Sequence, residues 1–317
     1  MADSHPRELE SIQGRHEGTA PGGPLDGIDH IRTAVNTRLG ELIPDEDCHP
    51  AELHRAMRYS LLAGGKRIRP VLTVLVANAF GAREEAALDA ACAIEMVHTA
   101  SLILDDMPCM DDAALRRDRP SNHVVFGEDT AILAATALLN RAFGVVAECA
   151  ELDPSVRIEL VRSLSNAVGS DGIIAGQYCD LRSETTGEVA ELLQMYGQKT
   201  GALFVAAVEA GARIARVDET WVEAVRQFAA HLGLAFQILD DLLDRLGTEK
   251  EAGKDVNQDL DKTTVVSCMG SGRAHAEASS RVLSAAEALE PLGDAGRPLV
   301  ALAHHFMRPA SGASLQI

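Results

Sequence analysis

Residues 98–112 read HTASLILDDMPCMDD, an apolar run that ends in four carboxylates, Asp105, Asp106, Asp111 and Asp112. A second stretch answers it much later: FQILDDLLD over 236–244, with Asp240, Asp241 and Asp244. Each puts carboxylates at the end of an otherwise oily helix, where charge is costly unless something pairs with it. Two long apolar helices that both end in aspartates describe an all-α, single-domain bundle whose ligands project from facing helices into a central cavity. Facing each other, the clusters would form a cage for divalent cations. Mg²⁺ prefers octahedral oxygen ligands, keeps several waters and takes one or two carboxylates plus substrate phosphates. A diphosphate held by several Mg²⁺ ions fits that chemistry, and Mn²⁺ accepts the same oxygens.

The rest of the chain supports the bundle. Residues 1–25 are polar and run into APGGPLDG, which predicts a disordered tail ahead of one domain over 26–317. Ile28, Ile31, Val35, Leu39 and Leu42 recur at helical spacing up to Pro44. Helices are further predicted over 50–63, from Pro70 to Gly81, 84–106, 130–149, 155–181, 187–212, 220–246, 274–289 and 296–307. Pro108 should interrupt the helix that carries the first cluster. No strand-like alternation stands out.

Composition narrows the function. Hydrophobic residues make up 46% of the chain and aromatics only 3%, so aliphatic side chains must fill the core, which suits packed helices. A net charge of −18 argues against nucleic acid as a partner. Cys48, Cys92, Cys109, Cys149, Cys179 and Cys268 form no CxxC pair, as expected of reduced, mostly buried thiols in a cytoplasmic protein. No uninterrupted apolar run reaches the roughly 18 residues of a membrane span.

Asp240 and Asp244 lie four apart on one helical face. Asp105 and Asp112 would share a face if their helix were continuous, but the bulge expected at Pro108 makes Asp111 the one to turn inward and leaves Asp112 doubtful. Lys66, Arg67 and Arg69 make KRIRP, residues 66–70, the most basic pentapeptide of an acidic chain, and Arg116 and Arg117 follow the first cluster. Lys199, Lys254 and Lys262 add further cations. Any one of these could be an ordinary surface charge, but arginine forks and lysine point charges are also what a diphosphate needs. His98 lies two turns above Asp105, and Gln177, Asp180 and Gln237 are polar groups on helices that otherwise read as buried.

In order, GGKRIRP, HTASLILDDMPCMDDAALRRDRPSNH, GQYCDL, QKTG, FQILDDLLD and GKDVNQD resemble the motifs of the trans-isoprenyl diphosphate synthases. The likeness runs from Ile28 to the C-terminus. DDMPCMDD and GKDVNQD are most similar to those of bacterial carotenoid-pathway geranylgeranyl diphosphate synthases. The resemblance implies the isoprenoid synthase fold, a homodimer, and a Mg²⁺-dependent condensation of isopentenyl diphosphate with an allylic diphosphate. Asp105, Asp106, Asp111, Asp240, Asp241 and Asp244 are then the metal ligands. Arg116, Lys199, Lys254 and Lys262 touch the allylic diphosphate. Lys66, Arg69, His98 and Arg117 hold isopentenyl diphosphate, with Arg67 beside them. Thr200 and Gln237 face the developing carbocation, and Gln177 and Asp180 line the cavity. Metal and cations ionise the allylic C–O bond, the alkene attacks, and a proton leaves to the departing diphosphate.

Ala100 and Ser101, five and four residues before Asp105, are small, so a growing chain can pass and a twenty-carbon product is expected. Two departures stand out: Asp118 and Asp261 occupy positions where the family usually has glycine. The alternatives are a farnesyl or longer-chain synthase, or a non-catalytic regulatory subunit of the same fold. The second acidic motif speaks against a terpene cyclase.

Overall fold

A computed structural model describes residues 27–182, 187–246 and 263–306. The chain runs through α1 (Ile28–Leu42), α2 (Ala51–Leu61), α3 (Ile68–Ala79), α4 (Glu84–Asp105), a short hairpin of β1 (Leu115–Arg116) and β2 (Arg119–Pro120), α5 (Asn122–Phe126), α6 (Glu128–Glu148), α7 (Pro154–Val168), α8 (Ile173–Arg182), α9 (Val189–Tyr196), a π-helical turn (Gly197–Gly201), α10 (Ala202–Ile214), α11 (Glu219–Leu246), α12 (Val265–Met269), α13 (Ser271–Ala288), a 3₁₀ turn (Glu290–Gly296) and α14 (Arg297–Phe306). The all-α bundle read from the two acidic stretches is the architecture found.

α4 is the axis. Its sequence is apolar nearly all round and rich in alanine, so neighbouring helices approach closely and Ala91, Cys92, Ala93, Ile94 and Met96 are fully enclosed. It packs on α6 and α3, while α10 bridges α3 and α11, and α11 leans on α13. In α11, Val222, Val225, Phe228, Ala229, Leu232, Ala235 and Ile238 fall on one helical face and are all buried. By length and composition α4 and α6 are both apolar enough to cross a membrane. In α4, 67% of the apolar window is buried inside the protein, whereas in α6 only 39% is, so α4 is a core helix and α6 keeps an outward apolar face.

Four expectations are corrected. The helix predicted over 155–181 breaks between Val168 and Ile173, where a Cβ on Gly172 would lie 2.1 Å from the Ala167 carbonyl oxygen. The helix predicted over 187–212 contains the π-helical turn. A strand pair does exist, with Leu115 opposite Pro120 and Arg116 opposite Arg119. Its tip residues Arg117 and Asp118 both have positive φ, 54° and 58°, as a tight primed turn requires. Asp118 thus meets a left-handed conformation that glycine adopts freely and aspartate tolerates. Finally, only Cys92 and Cys149 are buried, while Cys48, Cys109 and Cys268 are exposed; all six are free thiols. The tail 1–25, Asp261, Lys254 and Lys262 lie outside the described residues.

Candidate active site

α4 stops at Asp105 because Pro108 follows, and the next residues fold back instead of running on. The Met107 carbonyl accepts from the amides of Met110 at 2.8 Å and Asp112 at 3.1 Å, and the Asp105 carbonyl accepts from the Asp111 amide at 2.9 Å. Pro108 and Cys109 are pushed out to solvent, and Asp111 returns beside Asp105. Both carboxylates line one cavity. Asp112 is exposed, with φ of 49°, and does not reach it. Asp106 also departs from the expected metal role. It is 2% exposed and faces away from the cavity wall, where its Oδ1 accepts from Arg116 Nε at 2.9 Å and Nη2 at 2.5 Å. Its place is to aim Arg116, which does line the cavity.

The opposite wall is the end of α11. Gln237, Asp240, Asp241 and Asp244 all line the cavity, together with Phe236. Beside them sits the π-helical turn, in which one extra residue per turn re-aims Lys199 and Thr200. Two glycines hold it from either side. A Cβ on Gly176 of α8 would lie 2.3 Å from the Lys199 amide nitrogen, and one on Gly233 of α11 would lie 2.9 Å from Gly201 Cα. Because α8 comes so close, Lys199 Nζ reaches Asp180 Oδ2 at 2.6 Å. Because α11 does, Thr200 Oγ1 donates to Gln237 Oε1 at 2.6 Å. Gln177, expected on the cavity wall, is not there: it is buried, with its Nε2 3.9 Å from Met110 Sδ, behind the residue that lines the cavity.

The third wall is cationic. Lys66, Arg69, His98 and Arg117 line it. Arg69 lies with its guanidinium carbon 4.5 Å from the centre of the Phe204 ring and Nη1 3.3 Å from His98 Nε2. Arginine only donates, so His98 Nε2 accepts and the imidazole is neutral. Burial first, and then the positive charge of Arg69, Arg117, Arg67 and Arg116, hold His98 well below the usual imidazole range. Arg69 itself is lowered to about 10 by burial, against the pull of Glu95.

Arg67 borders the same cavity, but its guanidinium turns into the scaffold. Its positive φ of 51° turns it inward, where Nη1 donates to Glu95 Oε1 at 2.5 Å, Nη2 to the Leu61 carbonyl at 2.6 Å and Nε to Asn36 Oδ1 at 2.9 Å. With its side chain fully buried, it belongs to the scaffold. Of the two small residues on α4, Ser101 lines the cavity, while Ala100 lies in the core at 2% exposure.

The three walls enclose about 430 Å³. Two charge patterns share that space. Asp105 is pushed up to about 6 by burial, with Asp111 and Asp106 adding to the rise against Lys199 and Arg116. A carboxylate held that high is short of positive charge. Across the cavity, burial lowers Lys66 and Arg117, so the cationic wall is short of negative charge. Burial opposes the charge of Lys199 as well, but Asp180, Asp105 and Asp111 outweigh it and keep that lysine raised. Hard carboxylate oxygens from two helix ends suit Mg²⁺. Among the described residues no three of them converge into a ready-made ligand set.

Comparison with known proteins agrees with this geometry. The family model described as "Polyprenyl synthetase" matches residues 50–288. The chain belongs to the polyprenyl synthetase family. As a member it is a prenyltransferase of isoprene biosynthesis, acting on isoprenyl diphosphates. It is 43% identical over 270 residues to a geranylgeranyl diphosphate synthase of Pantoea ananas, covering 82% of this chain and 88% of that one. It is 46% identical over 235 residues to a farnesyl diphosphate synthase of Geobacillus stearothermophilus, covering 73% and 79%. Among solved structures it is similar to a geranyltransferase of Helicobacter pylori complexed with magnesium and isoprenyl diphosphate: TM-score 0.81, 30% identity, covering 92% of this chain and 98% of that one.

Two residues of this polyprenyl synthetase's site went unread in the sequence. Glu95 is a single carboxylate inside the buried run AIEMV, a signal that should have asked for a partner. Tyr196 immediately precedes GQKTG in a chain with three tyrosines, and its hydroxyl meets Asp241.

Proposed function

We propose that this prenyltransferase condenses isopentenyl diphosphate with an allylic diphosphate (dimethylallyl, geranyl or farnesyl) to make geranylgeranyl diphosphate, with Mg²⁺ as its cofactor. The observation that carries this reading is the division of one cavity into two facing acidic walls and a separate cationic wall. An anion needs metal to bind the first and none to bind the second. Asp105 and Asp111 on one side and Asp240 and Asp244 on the other would hold the ions. Bound Mg²⁺ would supply Lewis-acid neutralisation of the leaving diphosphate.

The chain's own residues do the rest. Lys199 and Arg116, aimed by Asp180 and Asp106, bind and orient the allylic diphosphate, and the resemblance adds Lys254 and Lys262. Lys66, Arg69 and Arg117 hold the second diphosphate, and neutral His98 braces Arg69. Thr200 and Gln237 present oxygens to the reacting carbon. Leu102 and Phe236, apolar residues of the lining, would shield that carbon from water.

The twenty-carbon product rests on the small side chain of Ser101 at the cavity wall and on the likeness to the Pantoea protein. The Geobacillus relative makes fifteen carbons the competing outcome. Purified full-length protein given Mg²⁺, isopentenyl diphosphate and each allylic starter should yield the twenty-carbon diphosphate. A product mixture that stops at fifteen carbons would overturn the assignment. Ser101→Phe should shift the product towards fifteen. Ala100→Phe should shift it too but, overfilling a closed core, should also cost about 1–3 kcal/mol of stability.

The protein also acts as a homodimer in this reading. Val124, Val125, Ile132 and Leu133 on α5 and the outward face of α6 are 44–60% exposed, an apolar face that suits a second copy. Sedimentation equilibrium should return twice the chain mass of 33.7 kDa, and Val125→Glu with Leu133→Glu should halve it. A wild type of single-chain mass would sink the dimer.

A further inference from the structure

A line of hydrogen bonds crosses the floor of the α11 wall, and all of it points at Asp241. Tyr196, the last residue of α9, is 4% exposed and donates its hydroxyl proton to Asp241 Oδ2. The same hydroxyl oxygen accepts from the Val265 amide at 3.2 Å, at the first residue of α12. From the other side, Gln237 Nε2 donates to Asp241 Oδ1 at 3.0 Å, and Gln237 Oε1 accepts from Thr200 Oγ1 at 2.6 Å. Asp241 is 5% exposed and each of its carboxylate oxygens already receives a proton from a neighbouring side chain.

The direction of these bonds settles which atoms meet the cavity. A carboxylate accepts only, so the Gln237 amide cannot flip: its NH₂ must face Asp241 and its carbonyl must face Thr200. The Thr200 proton is committed to that carbonyl, so the Thr200 oxygen offers only lone pairs to anything else. Thr200 and Gln237 both line the cavity. Two oxygens stripped of any free proton are what a developing positive charge needs, and what a free hydroxyl or a flipped amide would spoil.

We propose that Tyr196 is a positioning residue for the chemical step. Through Asp241 it fixes the Gln237 amide so that the Gln237 and Thr200 oxygens face the reacting carbon. Asp241 is then the anchor of this line, whereas the sequence made it a metal ligand. The proposal rests on the prenyl-transfer reading of the site.

The test uses the full chain with Mg²⁺ and inorganic diphosphate present. It measures the dissociation constants of two prenyl analogues of equal shape, one with an ammonium nitrogen in place of the reacting carbon and one with neutral carbon there. Wild type should prefer the ammonium analogue. In Tyr196→Phe that preference should fall about tenfold and kcat should fall by a similar factor. Affinity for the neutral analogue and KM for both substrates should stay within twofold. Unchanged cation preference, or equal weakening of both analogues, would overturn the proposal. Asp241→Asn carries the test if Tyr196→Phe does not fold. One asparagine oxygen cannot accept at both positions, so the cation preference should fall again. Loss of Mg²⁺-dependent diphosphate binding in that variant would make Asp241 a metal ligand and defeat the idea. A wild type that forms no prenyl diphosphate at all would sink the prenyl-transfer reading instead, an outcome the binding measurements do not share.

Discussion

Asp105→Asn should leave a folded protein that no longer transfers prenyl groups, with kcat/KM down by about 10³-fold or more. The size follows from the charge removed. A Lewis-acid contribution of several kcal/mol depends on ligands that carry charge, and each 1.36 kcal/mol is tenfold in rate. Asn keeps the shape and one oxygen but not the charge. The stability effect has the opposite sign. Burial, Asp111 and Asp106 hold the Asp105 carboxyl at about 6 in the fold, above its ordinary value of 3.8. The folded state therefore binds an extra proton between those values, and stability falls as pH rises through that window. At pH 7.5 the ionised carboxylate is a cost to the metal-free fold, so the Asn variant should melt at or above the wild-type temperature. Mg²⁺ with inorganic diphosphate should raise the wild-type melting temperature and leave that of the variant nearly unmoved. Thermal melts with and without the ion, beside a turnover assay, check both halves. A variant that melts well below wild type would mean that Asp105 is a structural carboxylate.

The two acidic stretches carried most of the fold because each couples an apolar helix to charge at its end, and only a bundle with an inward-facing site reconciles the two. Pro108 made the return of Asp111 legible, since a helix that must stop there can place its next carboxylate only by a bulge. What stayed hidden depended on partners far along the chain. Lys66, Arg67 and Arg69 look alike in sequence, yet Arg67 turns inward because Glu95, 28 residues on, receives it. Asp105 and Asp106 are adjacent, but a helix sends them about 100° apart, one to the cavity and one to Arg116. The π-helical turn leaves no trace in hydrophobic spacing, because one added residue shifts the period too little to notice over a single turn. Helix breaks at glycine are similarly quiet. Gly176 reads as an ordinary helix position until Lys199 is seen against it.

Glu95→Ala should cost about 3–5 kcal/mol of stability, the range found when one partner of a buried ion pair is removed. Glu95 is 1% exposed, and the Arg67 side chain is fully enclosed at 2.5 Å from it. Arg117 Nη2 stands 3.7 Å from the same carboxylate, while its Nη1 donates to the Gly64 carbonyl at 2.6 Å, and Arg69 feels the same negative charge. One acid thus compensates three arginines at the root of the cationic wall. Removing it strands Arg67 in the core with only Asn36 and the Leu61 carbonyl for company. Against the 5–15 kcal/mol that ordinarily separates folded from unfolded chains, this is a large fraction, equivalent to a fall of roughly 6–10 °C in melting temperature. The double variant Glu95→Leu with Arg67→Met tests the cause. Taking both charges out should recover most of the loss, because a well-packed apolar pair can replace a buried ionic one. Recovery should be incomplete, since Arg117 still lacks its carboxylate. If the single variant melts within about 1 kcal/mol of wild type, the pair is not what holds α3 to α4. If the double variant melts no higher than the single, the loss comes from a cavity and not from an uncompensated charge.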